Sequence, residues 1–219
     1  MICVQKQYTH VLFDWDGCLA STFDVWLSAS QDILRRYGID ATPEEIFLAF
    51  GKNGIMLYFD IPDPAARQAE LVADATARLQ DVALYPGAKD ALLDLFADTV
   101  LAIVSDSPRS IIDRGIIANG LGSYFSKIVA RGEAGPIKPH PAGIELAMTS
   151  LGATKHQTLM IGDSDKDILA ARSAGVDSVL FFPPGHERFY ERGALMKLSP
   201  THVISQFSDL KRIVKSPAS

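Results

Sequence analysis

Apolar runs of strand length alternate along this chain with segments of helical period. That alternation fits a parallel sheet flanked by helices better than a bundle or a sandwich. The strand candidates are residues 10–14, 99–105, 127–130, 157–162 and 178–182, with a short late run at 202–204, and each but the last is followed by a helical pattern. Between the first two lie about eighty residues, far more than the roughly dozen that a parallel crossover needs. An insertion is therefore expected there. Phe23, Trp26, Leu27, Ile33 and Leu34 sit at helical spacing, Pro43-Glu44-Glu45 marks a helix start, and residues 64–79 are Ala-rich with apolar steps. Tyr85-Pro86-Gly87 punctuates the return to the sheet before a helical run at 88–96. The expected architecture is α/β, a Rossmann-like parallel sheet core of residues 1–21 and 85–219 flanked by helices, with an inserted small α-helical cap domain at 22–84. The 219 residues, 47% of them hydrophobic, can bury such a core.

Charge and cysteine content narrow the partners. A net charge of −5 leaves no excess of Lys or Arg to cover a phosphate backbone or an anionic membrane, which argues against both nucleic acid and membrane partners. Cys3 and Cys18 are too few for a disulfide framework and suit a reducing cytoplasm. The first apolar run is interrupted by Asp14 after a few residues, so neither a signal peptide nor a membrane span is expected.

Ligands of parallel α/β sheets sit at the carboxyl ends of the strands. There the chain places Asp14-Trp15-Asp16-Gly17, Ser105-Asp106-Ser107 and Gly162-Asp163-Ser164-Asp165-Lys166-Asp167, while Lys138 stands between helix-breaking residues ahead of the fourth strand. Asp14, Asp16, Asp163 and Asp167 in one cleft would repel one another without a cation, and hard oxygen ligands point to Mg2+. Magnesium takes few protein carboxylates, so the others remain available for chemistry. One of Asp14 and Asp16 can attack phosphorus while the other moves the proton of the leaving oxygen and then of water. Lys138 would offset phosphoryl charge and Ser105 would hydrogen-bond a phosphoryl oxygen.

In this order the motifs resemble those of the haloacid dehalogenase superfamily, in the phosphatase branch with a helical cap inserted after the first strand. Asp14-Trp15-Asp16-Gly17-Cys18-Leu19 is similar to the first motif, Ser105 to the second, Lys138-Pro139 to the third, and Gly162-Asp163-Ser164 with Asp167 to the fourth. The resemblance implies Asp14 as nucleophile and Asp16 as acid and base. It also implies Mg2+ held by Asp14, the backbone carbonyl of Asp16 and Asp163, with Asp167 direct or through water. Dehalogenases of the superfamily lack the second aspartate, so the resemblance favours a phosphatase of a small phosphorylated metabolite, phosphoglycolate-like as a first choice. A monomer or homodimer is expected. A phosphomutase on the same scaffold is the nearest alternative, and a non-catalytic metabolite-binding protein the next. Two departures stand out. Cys18 replaces the usual Thr, and Asp106 replaces a frequent Asn and is expected to point away and cap the following helix.

Three further residues are candidates for substrate binding. Lys52 or Asn53, in the Gly-flanked break at 50–54 that otherwise reads as a helix–helix turn, would reach over the phosphoryl site, and Arg109 would bind an anionic group. Phe23 and Trp26 read as cap core, Arg35 and Arg36 as a solvated helix face, residues 181–185 as a turn, and the five histidines as no zinc site.

Overall fold

The computed structural model describes residues 8–52, 54–79 and 82–215. Its sheet has six strands, β1 (His10–Phe13), β2 (Val100–Val104), β3 (Phe125–Val129), β4 (Thr158–Gly162), β5 (Asp177–Phe181) and β6 (His202–Ile204), all parallel in the order β3-β2-β1-β4-β5-β6. Ten α-helices accompany them among the described residues: α1 (Phe23–Arg36), α2 (Pro43–Gly51), α3 (Ile55–Tyr58), α4 (Pro64–Arg78), α5 (Ala88–Phe96), α6 (Arg109–Asn119), α7 (Ala142–Leu151), α8 (Asp165–Ala174), α9 (Arg192–Lys197) and α10 (Leu210–Lys215).

The two-residue period of a strand decides how β1 is buried. Val11 and Phe13 join the larger apolar cluster, with Leu92 and Leu95 of α5, while Leu12 faces the opposite side with Met160, Ile144 and Ala171. A strand apolar on both faces must lie inside a covered sheet, and β1 lies between β2 and β4. β3 starts before the apolar run at 127. Ser126 is exposed on this edge strand, where one polar face is tolerated.

Between β1 and β2 the chain forms α1 to α5, of which α1 to α4 make up the inserted stretch before the return at 83–85. Local chemistry sets their starts: Thr42 caps α2, accepting from the Glu45 amide while the Glu45 carboxylate accepts from the Thr42 amide, with Pro43 following. The two connections to these helices run side by side. Tyr85 N donates to Leu19 O at 2.9 Å and Ser21 N to Ala83 O at 2.9 Å. No helix among the described residues is long and apolar enough to cross a membrane.

Candidate active site

Strand order reverses between β1 and β4, which opens a crevice at their carboxyl ends. Asp14 follows β1, and its amide donates to the Ile161 carbonyl of β4 at 2.8 Å. Asp163 follows β4 directly, and Asp167 sits in the first turn of α8, where the Ser164 hydroxyl and amide donate to Asp167 Oδ2 at 2.6 and 3.1 Å. Two glycines make this closeness possible. A Cβ on Gly162 would lie 2.1 Å from Asp167 Cγ, and one on Gly17, whose φ is +71°, would lie 2.1 Å from Phe23 and 2.7 Å from Asp163 Oδ2.

Oxygens of Asp14, Asp163 and Asp167 lie within 4.8 Å of one another, all three residues buried. Lys138 enters from the loop after β3. Its Nζ is 2.8 Å from Asp14 Oδ1 and 2.6 Å from Asp167 Oδ1, and it donates to the Val104 carbonyl at 3.3 Å. Burial alone would lower the lysine's affinity for its proton, but Asp14, Asp167 and Asp106 outweigh it and hold the ammonium well above its ordinary range. Burial pushes Asp14 up to about 7 against the pull of Lys138, and burial with Asp167 and Asp14 pushes Asp163 well up. Three carboxylates face one ammonium, a deficit of positive charge that a cation would remove. The donor set is all oxygen, and Asp163 Oδ2 is buried without a hydrogen bond, so these residues fit a hard divalent ion. Both oxygens of Asp167 are already engaged by Lys138 and Ser164, whereas Asp163 keeps one for a ligand.

The Asp16 side chain lies outside that cluster. Trp26 Nε1 donates to its Oδ1 at 2.9 Å and the Ser107 hydroxyl donates to its Oδ2. Trp26, expected in the helical core, therefore reaches the strand-end crevice from α1. Ser105 is buried and accepts from the Ser107 amide at 3.2 Å. Asp106 does not cap α6, which begins after Pro108 without a side-chain cap. Its Oδ1 accepts from the Lys138 amide at 3.2 Å and so fixes the lysine loop. The Cys18 thiol is buried, donates to the Ile161 carbonyl at 3.6 Å, and is pushed well above its ordinary range by burial and the nearby aspartates.

A cavity of about 1290 Å³ opens on Asp14, Asp16, Ser105, Lys138 and Asp163. Lys52 lines it, with Nζ 5.3 Å from the Tyr58 ring, whereas Asn53 lies outside the described residues. Arg109 is not brought there: it is exposed and paired with Asp113 at 2.8 Å, one helical turn on, and with Glu133 at 3.0 Å. Arg35 pairs with Asp32 and Arg36 with Glu70 on an exposed face. The turn after β5 does more than reverse the chain. It leads into Phe189 and Tyr190, which line the cavity, and the Tyr190 phenol is held well above its ordinary range by burial and by the adjoining Asp163 carboxylate. Sequence reasoning missed Ser107, Tyr190 and the reach of Trp26, because no local pattern marks a residue that becomes important only through a distant neighbour.

An α/β sheet with buried carboxylates and one lysine at its topological switch point defines an enzyme class that binds cations and anions at strand ends. The chain belongs to the haloacid dehalogenase-like hydrolases, whose family model matches residues 11–181. It is 29% identical over 215 residues to the pyrophosphatase PpaX of Listeria innocua, covering 94% of this chain and 96% of the relative. It is 28% identical over 231 residues to a phosphoglycolate phosphatase of Mannheimia succiniciproducens, covering 96% and 100%. Among solved structures, that of a predicted phosphoglycolate phosphatase from Haemophilus somnus superposes with a TM-score of 0.80 at 23% identity, over 95% of this chain and 99% of that one.

Proposed function

We propose that this hydrolase cleaves the phosphomonoester of a small metabolite in the cytoplasm, with a divalent cation, Mg2+, and an aspartyl-phosphate intermediate on Asp14. The observation that carries the reading is the division of labour between two nearby aspartates. Asp14 is buried against Lys138 and Asp163, while Asp16 is held apart by Trp26 and Ser107. Asp14 and Asp163, with the backbone carbonyl of Asp16, would hold the ion, and Asp167 would stand behind them on Lys138 and Ser164. When bound, the ion supplies positive charge that lets a phosphoryl dianion approach these carboxylates.

The chain's own groups then divide the work. An Asp14 oxygen forms a bond to phosphorus as the bond from phosphorus to the alcohol oxygen breaks, and Asp16 gives that oxygen a proton. Water next attacks the phosphoaspartate, Asp16 takes its proton, and Asp14 leaves phosphorus as the free carboxylate. Lys138 balances phosphoryl charge. Ser105 accepts from the Ser107 amide, which leaves its own hydroxyl proton for a phosphoryl oxygen. Residues 22–84 act in this reading as a cap domain on the core of 1–21 and 85–219, supported by the paired connections at 19–21 and 83–85 and by the side chains that α1 and α2 send into the cavity.

Phosphate release from a panel of phosphomonoesters tests the proposal, run with Mg2+, with chelator and with Asp14→Asn. Turnover that needs the metal and falls by at least about a thousandfold in the variant is expected. Undiminished turnover by Asp14→Asn would refute the role of Asp14.

A further inference from the structure

We propose that the ester cleaved here is one whose alcohol carries a flat aromatic ring; this rests on the phosphomonoesterase reading and specifies its substrate class. Two consecutive helices and one segment more than a hundred residues further along the chain send aromatic rings into the cavity that opens on Asp14: Phe23 and Trp26 from α1, Phe47 and Phe50 from α2, and Phe189 and Tyr190 from the segment after β5. The Phe47 and Phe189 rings are 4.4 Å apart at 40°, Phe23 and Phe189 4.8 Å apart at 73°, and Trp26 and Phe50 6.1 Å apart at 79°. These are the tilted and edge-on arrangements in which an added ring finds favourable faces and edges. Phe47, Phe50, Phe189 and Tyr190 are only partly buried, so their surfaces are not used up on one another.

The position of this wall relative to the chemistry decides what it meets. The leaving oxygen must lie beside the Asp16 carboxyl to receive its proton, and that carboxyl is bonded to the Trp26 indole at 2.9 Å. Whatever is attached to the leaving oxygen is therefore delivered against Trp26 and the rings behind it. A volume of about 1290 Å³ exceeds the roughly 300–1,000 Å³ that encloses drug-sized ligands, far more than a glycolate or a second phosphate fills. Nor is the wall built for a small anionic alcohol. Arg188 pairs with Asp24 at 3.0 Å, Lys166 gives Nζ to the Phe50 carbonyl at 2.9 Å, and Lys52 lies over the Tyr58 ring. Arg131 also lines the cavity; its backbone amide donates to the Ser107 carbonyl, which ties its main chain, not its guanidinium, to the phosphoryl side.

The test is kcat/KM with Mg2+ for 1-naphthyl phosphate, adenosine 5′-monophosphate, phosphoglycolate and pyrophosphate. At least one ring-bearing ester should exceed both small substrates by about tenfold or more, as burial of a ring against aromatic faces implies. The two ring arms tell a simple aryl group from a nucleobase, and success of either supports the proposal. The ratio of ring-bearing ester to phosphoglycolate should fall about tenfold in Phe47→Ala and about threefold in Phe47→Leu, which keeps apolar volume and removes only the ring. Phosphoglycolate or pyrophosphate turned over as well as both ring-bearing esters would overturn this inference and leave the phosphomonoesterase reading standing. Phosphate release from none of the four would overturn both.

Discussion

His186 should make this protein lose stability in mild acid. The residue is buried, its Nε2 lies 2.8 Å from the Tyr85 hydroxyl, its Nδ1 has no hydrogen-bond partner, and the rings of Phe23, Phe181 and Phe182 surround it. Burial lowers its pKa from 6.5 to about 4, with only a small opposing pull from Glu187. The unfolded chain therefore takes up a proton near pH 6.5 that the folded protein refuses until near pH 4. The contribution is complete above the unfolded value and is lost progressively as pH falls through this window. Between about pH 7 and about pH 5 the loss is roughly 2 kcal/mol, approaching about 3 kcal/mol below the folded value. Urea unfolding of wild type and His186→Phe at both pH values measures it. The wild type should lose about 2 kcal/mol more than the variant over that interval, whatever the variant's absolute stability. Parallel pH dependences in the two proteins would refute the assignment of a neutral buried imidazole.

Other outcomes follow from the same contacts. Tyr190→Phe removes the phenol that adjoins Asp163 and should raise the Mg2+ concentration for half-maximal activity by about tenfold, measured by metal titration; an unchanged titration would separate Tyr190 from the ion. Gly162→Ala places a Cβ 2.1 Å from Asp167 Cγ and should destabilise the fold by about 1–3 kcal/mol in denaturant unfolding, with loss of activity. Native protein treated with iodoacetamide should leave Cys18 unmodified in peptide mapping, because its thiol is buried and its pKa is raised. The same site should react in denaturant, and rapid native alkylation would contradict its burial.

The sequence by itself determined the order of strands and helices, since a two-residue period, a 3.6-residue period and Gly or Pro punctuation are local properties. It located the long excursion between β1 and β2, and it set Asp14, Ser105 and Asp163 just past strand ends, where a parallel sheet makes them converge. The bounds of β3 slipped because an edge strand need not be apolar throughout. Only the tertiary structure decided which groups meet. Asp106 holds the Lys138 loop instead of capping α6, Arg109 is taken by Asp113 and Glu133, and Trp26, packed in the core as its spacing predicts, also donates its indole N–H to Asp16. The aromatic wall is the clearest case: Phe189 lies more than a hundred residues along the chain from both Phe23 and Phe47, yet the three rings lie 4.4–5.1 Å apart. No pattern along the chain encodes that proximity, because contact between distant segments depends on sheet order and on how the inserted helices pack over the strand ends.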